Sequence, residues 1–316
     1  MICIFFIPIY GGLLFMLTNS VLDAIGNVPL IQLKKISSGN VFVKAEHLNP
    51  GGSIKDRVAK YIIEMAEKEG KLKPGMTIIE ATSGNTGIGL TLVGAQKGYK
   101  VICVMPENMS EERKKIIRAF GGEIIFTSAK GSLPESIEKL KEITNAQPEK
   151  YFIANQFVNP HNPETHYRQT APEIWRDMKG KVDVFVAGVG SGGTLQGIGK
   201  FLKEKNPKVK IVAVEPRNSS ALLHREPGLH QIQGIGDGFV PDVLDINLVD
   251  MVFTVTDEEA IETTRQLSKE EGLLVGTSSG ANVFAALHMD NGRNRVVTVL
   301  PDRAERYFST AVNFAI

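Results

Sequence analysis

One lysine stands where its amine could be chemically reactive. Lys55 follows the tight Gly51-Gly52 turn and directly precedes a segment in which Val58 and Ile62 have helical spacing. An amine that faces a cleft at such a helix start would lose part of its hydration, and its pKa would fall. A lysine with a lowered pKa can form a Schiff base with a carbonyl compound. A lone lysine is more often a surface charge, so the neighbouring motifs must decide between the two.

Polar side chains crowd the segment 82–87, directly after an apolar run with the composition of a strand. Their hydroxyl and amide groups, together with the backbone N–H groups of a helix start, would suit a bound carboxylate. One threonine or serine would suffice to cap a helix, so a purely structural role explains the segment less well. The candidate substrate ligands in it are Thr82, Ser83, Asn85 and Thr86.

Glycines crowd the segment Gly188–Thr194, which includes the end of another apolar run. Backbone N–H groups at a glycine-rich helix start form a cradle for phosphate. The segment also satisfies G-x-G-x-x-G, and Glu215 lies at the end of the next apolar run, as a dinucleotide site requires. A nicotinamide-dependent oxidoreductase is therefore an open alternative, but it leaves Lys55 and the segment 82–87 unexplained.

A fourth segment, Gly276–Gly280, matches G-x-S-x-G, the nucleophile motif of α/β-hydrolases. That function needs an acid and then a histidine later in the chain. Only His288 follows, on the same predicted helix, and no Asp or Glu lies between it and Gly280. The sequence therefore argues against a hydrolase.

The composition excludes several classes of protein. Among 316 residues, 36 Lys and Arg stand against 35 Asp and Glu, a net charge of +1, so neither nucleic acid nor a membrane is an expected partner. The longest basic run, Arg113–Lys115, has the character of a solvated helix face. Two cysteines, Cys3 and Cys103, are too few for a disulfide framework, which favours the cytoplasm. The histidines are scattered without an i, i+4 pair, and no metal site is expected.

Beyond residue 20, short apolar runs bounded by glycine or proline alternate with segments of helical spacing. The predicted strands are 76–81, 100–104, 123–127, 182–189, 210–215, 251–255 and 295–300. The predicted helices are 56–69, 86–97, 110–120, 192–205, 257–271 and 279–288. Continuous apolar strands separated by helices predict parallel sheets covered on both faces, in two α/β domains. Ligands of such sheets bind where strands lead into helices, and the candidate motifs lie at such places.

The chain divides at the turn-rich stretch 159–163. We expect a smaller α/β domain over residues 49–159, with the carboxylate loop, and a larger one from residues 18–48 and 160–316, with the phosphate cradle. Residues 1–17 are nearly all apolar, but they lack the positive charge of a signal peptide and are too short for a spanning helix. We interpret them as a non-native extension or a mis-called start, with Met16 as the expected beginning, and a packed arm or a membrane signal as the alternatives.

Taken together, five segments resemble the motifs of the cysteine synthase (O-acetylserine sulfhydrylase) family, which belongs to the β-family, fold type II, of pyridoxal-phosphate enzymes. The resemblance runs from about Val21 to Thr310 and depends on the order and spacing of the segments. It implies two open, twisted α/β domains with a cofactor cleft between them, the tryptophan synthase β-like fold. The segments are Asn49–Arg57, Thr82–Gly87, Gly190–Thr194, Gly234–Gly236 and Gly276–Ala281.

The resemblance also implies roles for individual residues. Lys55 would carry pyridoxal 5'-phosphate as a Schiff base, Asn85 would bind the ring hydroxyl, and Ser278 would face the ring nitrogen. Gly234 would lie in a loop that lines the site. The phosphate would be held by Gly190, Ser191, Gly192, Gly193 and Thr194, and the substrate carboxylate by Thr82, Ser83, Thr86 and Gln156.

The implied reaction is a β-replacement that converts O-acetyl-L-serine and sulfide into L-cysteine and acetate through an α-aminoacrylate. A neutral Ser278 at the ring nitrogen would favour β-elimination over transamination. The alternatives on the same scaffold are cystathionine β-synthase, O-phosphoserine sulfhydrylase and a serine/threonine dehydratase. Arg217 and Arg225 could bind a phosphorylated serine, although a surface role suits each.

Two further points follow from the resemblance. Asp237 stands where the family commonly has a small residue, near the expected path of the second substrate, so the identity of the nucleophile is open. A homodimer and a complex with serine acetyltransferase are the assemblies that the resemblance implies.

Overall fold

The computed structural model describes residues 18–82, 84–129 and 132–309. The predictions for residues 1–17 and for Ser83 therefore lie outside the described residues. In the described ranges, no helix combines the length and the apolar character needed to cross a lipid bilayer.

Ten strands form two sheets in the described part of the chain. The strands are β1 (Leu30–Gln32), β2 (Val41–Lys44), β3 (Thr77–Ala81), β4 (Lys100–Pro106), β5 (Glu123–Thr127), β6 (Tyr151–Ile153), β7 (Val184–Gly188), β8 (Lys210–Pro216), β9 (Met251–Val255) and β10 (Val296–Val299). The larger sheet has the strand order β1-β2-β10-β7-β8-β9, and the smaller sheet has the order β5-β4-β3-β6. The seven predicted strands are confirmed within two residues at each end, whereas β1, β2 and β6 were not predicted.

Neighbouring strands run parallel in both sheets, with one exception. β1 pairs antiparallel with β2, and Ile31 lies opposite Val43. The expectation of wholly parallel sheets is wrong at this edge. A connection as short as residues 33–40 cannot carry the crossover that a parallel pair needs, so the chain turns back on itself.

Helices cover the sheets. Within the described ranges they are α1 (Lys55–Lys68), α2 (Asn85–Lys97), α3 (Glu111–Ala119), α4 (Ser132–Ala146), α5 (His161–Thr165), α6 (Ala171–Asp177), α7 (Gly193–Lys205), α8 (Asp257–Glu271) and α9 (Thr277–Met289). The π-helical stretch His166–Thr170 joins α5 to α6. Single 3-10 turns occur at Val21–Ala24, Glu46–Leu48, Pro148–Lys150, Ala221–Leu223, Ile246–Leu248 and Ala304–Tyr307. All six predicted helices are present, and α4, α5 and α6 were not predicted.

The larger sheet is buried on both faces, which explains why its strands are continuously apolar. In β7, Val184 and Val186 belong to a core cluster that includes Leu267 of α8. The alternate residue Phe185 belongs to a second cluster, on the other face, that includes Leu195 of α7. The mixed α/β architecture with helices on both faces is therefore confirmed.

The two sheets use separate stretches of the chain. The strands of the smaller sheet lie between residues 77 and 153, and those of the larger sheet between 30 and 44 and between 184 and 299. The carboxyl ends of strands from both sheets face a common cavity, described next. The domain limits themselves, 49–159 for one domain and 18–48 with 160–316 for the other, stay a prediction.

Candidate active site

A cavity is lined by loops that follow strands of both sheets. It lies where open α/β sheets bind their ligands. Gly193 lies directly behind its wall, as the first residue of α7. The cavity brings together most of the residues singled out in the sequence: Lys55, Thr82, Asn85, Thr86, Gln156, Gly190, Ser191, Gly192, Thr194, Gly234 and Ser278.

Lys55 is the first residue of α1, and its amine lies at the glycine-rich loop. Nζ donates a hydrogen bond to Ser191 Oγ at 3.1 Å. Burial lowers the pKa of Lys55 to about 8, although the carboxylates of Asp237 and Asp302 oppose the shift. At neutral pH a far larger fraction of this amine is unprotonated than of an ordinary lysine. The nucleophilic chemistry that the sequence suggested for Lys55 is therefore available to it.

The loop between β7 and α7 has no room for side chains at its glycines. A Cβ at Gly190 would overlap the carbonyl oxygen of Gly234, and a Cβ at Gly193 would overlap the side-chain amide of Asn162. Gly192 has a φ of +77°, in the left-handed region that favours glycine. Because α7 begins here, the N–H groups of its first turn lack helical acceptors. The loop thus fits a phosphate group, which accepts hydrogen bonds from such N–H groups.

An uncharged histidine supports this loop from behind. His166 Nε2 lies 3.4 Å from Thr194 Oγ1, and Nδ1 lies 3.0 Å from Thr170 Oγ1. Burial, helped by the positive charges of Lys55 and Arg57, lowers the pKa of His166 well below its usual range. His166 therefore orients the Thr194 hydroxyl without adding charge. It was not among the predicted site residues.

The polar loop after β3 holds its side chains through hydrogen bonds. Thr86 Oγ1 donates to Gln156 Oε1 at 2.6 Å, and Thr82 Oγ1 accepts from the N–H of Gly84 at 3.0 Å. Because Gln156 Oε1 accepts from Thr86, Nε2 is the donor end of that amide for a ligand. Thr86 and Gln156 thus meet across two loops, which suits the carboxylate site that was expected of them.

A buried glutamate that the sequence did not reveal fixes the position of Gln156. Glu80 Oε1 accepts from the N–H of Gln156 at 3.1 Å, and Oε2 accepts from the N–H of Asn155 at 2.8 Å. Burial raises the pKa of Glu80 to about 7, although these hydrogen bonds oppose the shift. Glu80 therefore joins β3, which carries the polar loop, to the turn that carries Gln156.

Asn162 links the same turn to the glycine-rich loop. Its Nδ2 donates to the carbonyl oxygen of Gln156 at 2.8 Å and to Ser191 Oγ at 3.1 Å. Asn162 is fully buried and does not line the cavity itself. It lies in the stretch 159–163, which the sequence marked only as a turn between domains.

The side chain of Asn85 is bound by the segment near the C-terminus. Nδ2 donates to Asp302 Oδ2 at 2.6 Å, and Arg306 donates to Asn85 Oδ1. Tyr307 donates to the same Asp302 carboxylate. The segment 302–307 thus forms part of the wall behind the site, a role that the sequence did not assign to it.

The prediction of a solvated helix face is wrong for Arg113. It is buried, not solvated, with 2% of its surface exposed, and the neighbouring Lys114 is also buried. Its guanidinium donates to Tyr307 OH at 3.0 Å and to Gln233 Oε1, and it lines the cavity. The spacing of charged residues along α3 could not show that this face of the helix turns toward a cleft.

Ser278 lines the cavity from the first turn of α9 and is buried. One turn later, Asn282 Oδ1 accepts from the N–H of Gly188 at 2.7 Å, and Nδ2 donates to the carbonyl oxygen of Val299 at 3.0 Å. A Cβ at Gly280 would overlap the carbonyl oxygen of Ala260 in α8. The second glycine of the G-x-S-x-G match, Gly280, is therefore explained by the close packing of α9 against α8, and the match needs no hydrolase function.

The comparison with known proteins decides among the remaining interpretations. A family model described as "Pyridoxal-phosphate dependent enzyme" matches residues 21–302. The chain belongs to this family of pyridoxal-phosphate-dependent enzymes. Its cofactor is pyridoxal 5'-phosphate, and the glycine-rich loop, the helix start behind it and the Lys55 amine fit the phosphate and the aldehyde of that group.

Three relatives show which members of the family this pyridoxal-phosphate enzyme resembles. The cysteine synthase of Staphylococcus aureus (strain Mu50) is 46% identical over 299 residues, which cover 92% of this chain and 96% of the relative. The solved cysteine synthase of Entamoeba histolytica is 40% identical, with a TM-score of 0.91 over 97% of this chain and 94% of that one. The O-acetylserine dependent cystathionine beta-synthase of Helicobacter pylori is 41% identical, with a TM-score of 0.88 over 94% and 99%. The expected fold type II is confirmed.

Two features that supported other functions have structural roles in this pyridoxal-phosphate enzyme. Glu215, which a dinucleotide site would need, is buried and accepts from Ser220 Oγ at 2.7 Å and from the N–H of Leu222. Arg217 pairs with Glu259 at 3.5 Å, and Arg225 donates to the Arg217 carbonyl oxygen. Neither arginine lines the cavity, so neither is placed to bind a phosphorylated serine there.

Proposed function

We propose that this enzyme makes L-cysteine and acetate from O-acetyl-L-serine and sulfide. One observation carries the proposal: a lysine amine of lowered pKa, a glycine-rich helix start and a loop of polar side chains meet in one cavity. The identity of 46% with a cysteine synthase over nearly its full length supports the choice of substrates.

Different residues of the cavity would hold the cofactor, move a proton and bind the phosphate. When bound, pyridoxal phosphate draws electron density from the substrate's Cα and makes its proton acidic. Lys55 would hold the cofactor and then move a proton at Cα, for which its lowered pKa suits it. The hydroxyl of Ser191 and the N–H groups of Gly192, Gly193 and Thr194 would bind the phosphate, with Gly190 giving the loop its close approach.

The substrate side is formed by the other loops. Thr82, Thr86 and the Nε2 of Gln156 would bind the substrate carboxylate, and Asn85 the ring hydroxyl of the cofactor. Ser278, a neutral group, would meet the ring nitrogen and leave it without a proton, which favours loss of the β-substituent over transamination. Gly234 would leave room for the substrate beside the glycine-rich loop.

Turnover assays test the proposal directly. The purified enzyme should release acetate from O-acetylserine and form cysteine with sulfide, with little turnover of O-phosphoserine. The Lys55→Ala variant should lose both the visible absorbance of the bound cofactor and turnover. Lys68→Ala, an exposed substitution on the same helix, should keep both. Unchanged absorbance after Lys55→Ala would show that another group holds the cofactor.

Cystathionine synthesis, with homocysteine in place of sulfide, is the second candidate. It is favoured by the 41% identity to a Helicobacter pylori enzyme named for that activity. Competition assays with equal concentrations of sulfide and homocysteine decide between the two. A serine/threonine dehydratase would instead release pyruvate or 2-oxobutyrate without any thiol.

We propose further that the enzyme is a cytoplasmic homodimer that binds serine acetyltransferase. The family resemblance supports the assembly, and the low cysteine content supports the compartment. Light scattering after size-exclusion chromatography tests the dimer. Calorimetry with a peptide of the acetyltransferase C-terminus tests the complex, and a monomer or the absence of heat would refute the respective point.

A further inference from the structure

One charged residue in the cleft has no role in the proposed function. Asp237 lines the active-site cavity and also a second, outer cavity that continues from it. The residues common to both linings are Arg113, Gly234, Ile235 and Asp237, and they form the neck between the two cavities. A second substrate that enters through the outer cavity must pass this neck.

The backbone around Asp237 is held in place. Gly236 and Gly238 have φ values of +74° and +86°, which place a bend on each side of the aspartate. The Gly236 N–H donates to the Val189 carbonyl oxygen at 2.9 Å, and its own carbonyl oxygen accepts from His230 Nε2 at 3.0 Å. The carboxylate is therefore presented to the neck from a fixed loop.

The basic side chains near Asp237 form their hydrogen bonds with other groups. Arg113, the other charged residue of the neck, donates to Gln233 and Tyr307. Lys55 donates to Ser191, and the proposed function commits it to the cofactor. His230 uses Nε2 on Gly236 and Nδ1 on the N–H of Ile232. Among the described residues, Asp237 makes no hydrogen bond or ion pair with its side chain.

A carboxylate in a confined, partly desolvated place attracts a cation or a hydrogen-bond donor and repels an anion. Burial raises the pKa of Asp237, and the charge of Lys55 opposes that shift. Its side chain is nevertheless open to solvent within the cleft, so an entering molecule can reach it. The Asp237 carboxylate would therefore be complemented by a positively charged or hydrogen-bond-donating group on the incoming nucleophile.

We propose that Asp237 is a specificity-determining residue for the second substrate. It selects a thiol that carries a protonated amine near its sulfur over a thiol that carries a carboxylate. The inference rests on the proposed function and concerns which organic thiols the enzyme accepts in place of sulfide. In the reaction, Cα loses its proton to Lys55 and acetate leaves Cβ with the electron pair of the Cβ–O bond. The thiol sulfur then bonds to Cβ, Cα regains a proton from Lys55, and the thiol proton passes to solvent.

Two thiols of similar size and opposite charge test the proposal, cysteamine and mercaptoacetate. With O-acetylserine in excess, the ratio of kcat/KM for cysteamine to kcat/KM for mercaptoacetate should be about tenfold higher in the wild-type holoenzyme than in Asp237→Asn, as one favourable charge contact predicts. Asp237→Asn keeps the shape and removes the charge, and the intrinsic difference in thiol acidity cancels in this comparison. Asp242→Asn, outside both cavities, should keep the wild-type preference.

Binding without reaction gives an independent measurement. Calorimetry of the holoenzyme with the S-methyl ethers of the two thiols should show tighter binding of the amine in the wild type and equal binding in Asp237→Asn. If acetate release from O-acetylserine is normal but the preference does not change in Asp237→Asn, this inference is wrong and the proposed function stands. If the wild type releases no acetate from O-acetylserine, the proposed function itself fails.

Discussion

At the scale of single residues, burial gives Lys55 its reactivity. The amine is held at the entrance of a glycine-rich loop, where the protein displaces water and the pKa falls to about 8. The nearby carboxylates of Asp237 and Asp302 limit the fall, because they favour the charged form. The result is an amine that can react near neutral pH while it still binds Ser191.

This balance predicts how the apoenzyme reacts with an amine reagent. Labelling of Lys55 by an acylating reagent, followed by mass spectrometry, should reach half of its maximal rate near pH 8, whereas an ordinary lysine does so near its pKa of about 10.4. The exposed Lys68 serves as the internal reference in the same samples. Equal pH profiles for the two lysines would contradict the lowered pKa.

At the scale of elements, buried charges tie helices and strands together. Arg57 of α1 forms paired hydrogen bonds with Glu46 and with Glu173 of α6, at 2.7–2.9 Å. Lys44 of β2 reaches the same Glu173 at 2.9 Å. Although burial opposes the ionisation of Glu173, Arg57 and Lys44 outweigh it and hold the pKa of Glu173 at about 2. The helix that carries Lys55 is thereby fixed to the larger sheet.

Removal of the central cation should strongly destabilise the protein. Arg57→Met leaves two carboxylates buried without their main partner, so the free energy of unfolding should fall by about 3–5 kcal/mol. Arg176→Met removes an arginine whose side chain is 64% exposed, and the change should stay within about 0.5 kcal/mol. Denaturant unfolding of the two variants measures both. A loss in Arg57→Met no larger than in the control would refute the structural role.

Glu80, at the junction between β3 and the turn after β6, should make the free energy of unfolding depend on pH. The pKa of Glu80 is raised to about 7, so the folded protein keeps its proton at pH values where the unfolded chain has lost it. Stability from this group is therefore present at low pH and declines as the pH rises from about 4.5, the unfolded value, through about 7, by about 3 kcal/mol in total.

Glu80→Gln should lack that decline. Unfolding free energies at pH 5 and pH 8 should differ by about 2.5 kcal/mol less in the variant than in the wild type. Exposed Glu123→Gln should leave the wild-type difference unchanged. Parallel pH profiles for wild type and Glu80→Gln would show that Glu80 is ionised throughout.

At the scale of the whole molecule, the site depends on contacts between loops of the two sheets. Asn162 joins the Gln156 turn, which follows β6 of the smaller sheet, to Ser191 in the loop after β7 of the larger sheet. Its two hydrogen bonds therefore tie the proposed carboxylate site to the proposed phosphate site.

Asn162→Ala should loosen both sites at once. The buried carbonyl oxygen of Gln156 and the hydroxyl of Ser191 would lose a partner, a cost of about 1–3 kcal/mol for each group. We expect weaker binding of pyridoxal phosphate and a higher KM for O-acetylserine, with a smaller change in kcat. Asn206→Ala, at the far end of α7, should change neither. A change in only one of the two affinities would show that Asn162 does not couple them.

Features that depend on neighbouring residues could be predicted from the amino-acid sequence. Apolar runs such as 251–255, and the helical spacing of 257–271, are local patterns, and the structure reproduces both segments with the same limits. A cluster of glycines indicates a loop whose backbone is closely approached by other groups. The segment 188–194 could therefore be recognised from its glycines alone, without knowledge of its contacts with Gly234 and Asn162. The family resemblance rested on the order of such local motifs.

Contacts between groups that are distant in the sequence could not be predicted and follow from the fold. Glu80 binds a turn 75 residues away, and Arg113 binds a side chain 120 residues away. The antiparallel pairing of β1 and the neck around Asp237 likewise depend on how loops from separate parts of the chain come together. No periodicity records such contacts, because burial of a charged group becomes favourable only when the fold supplies its partners.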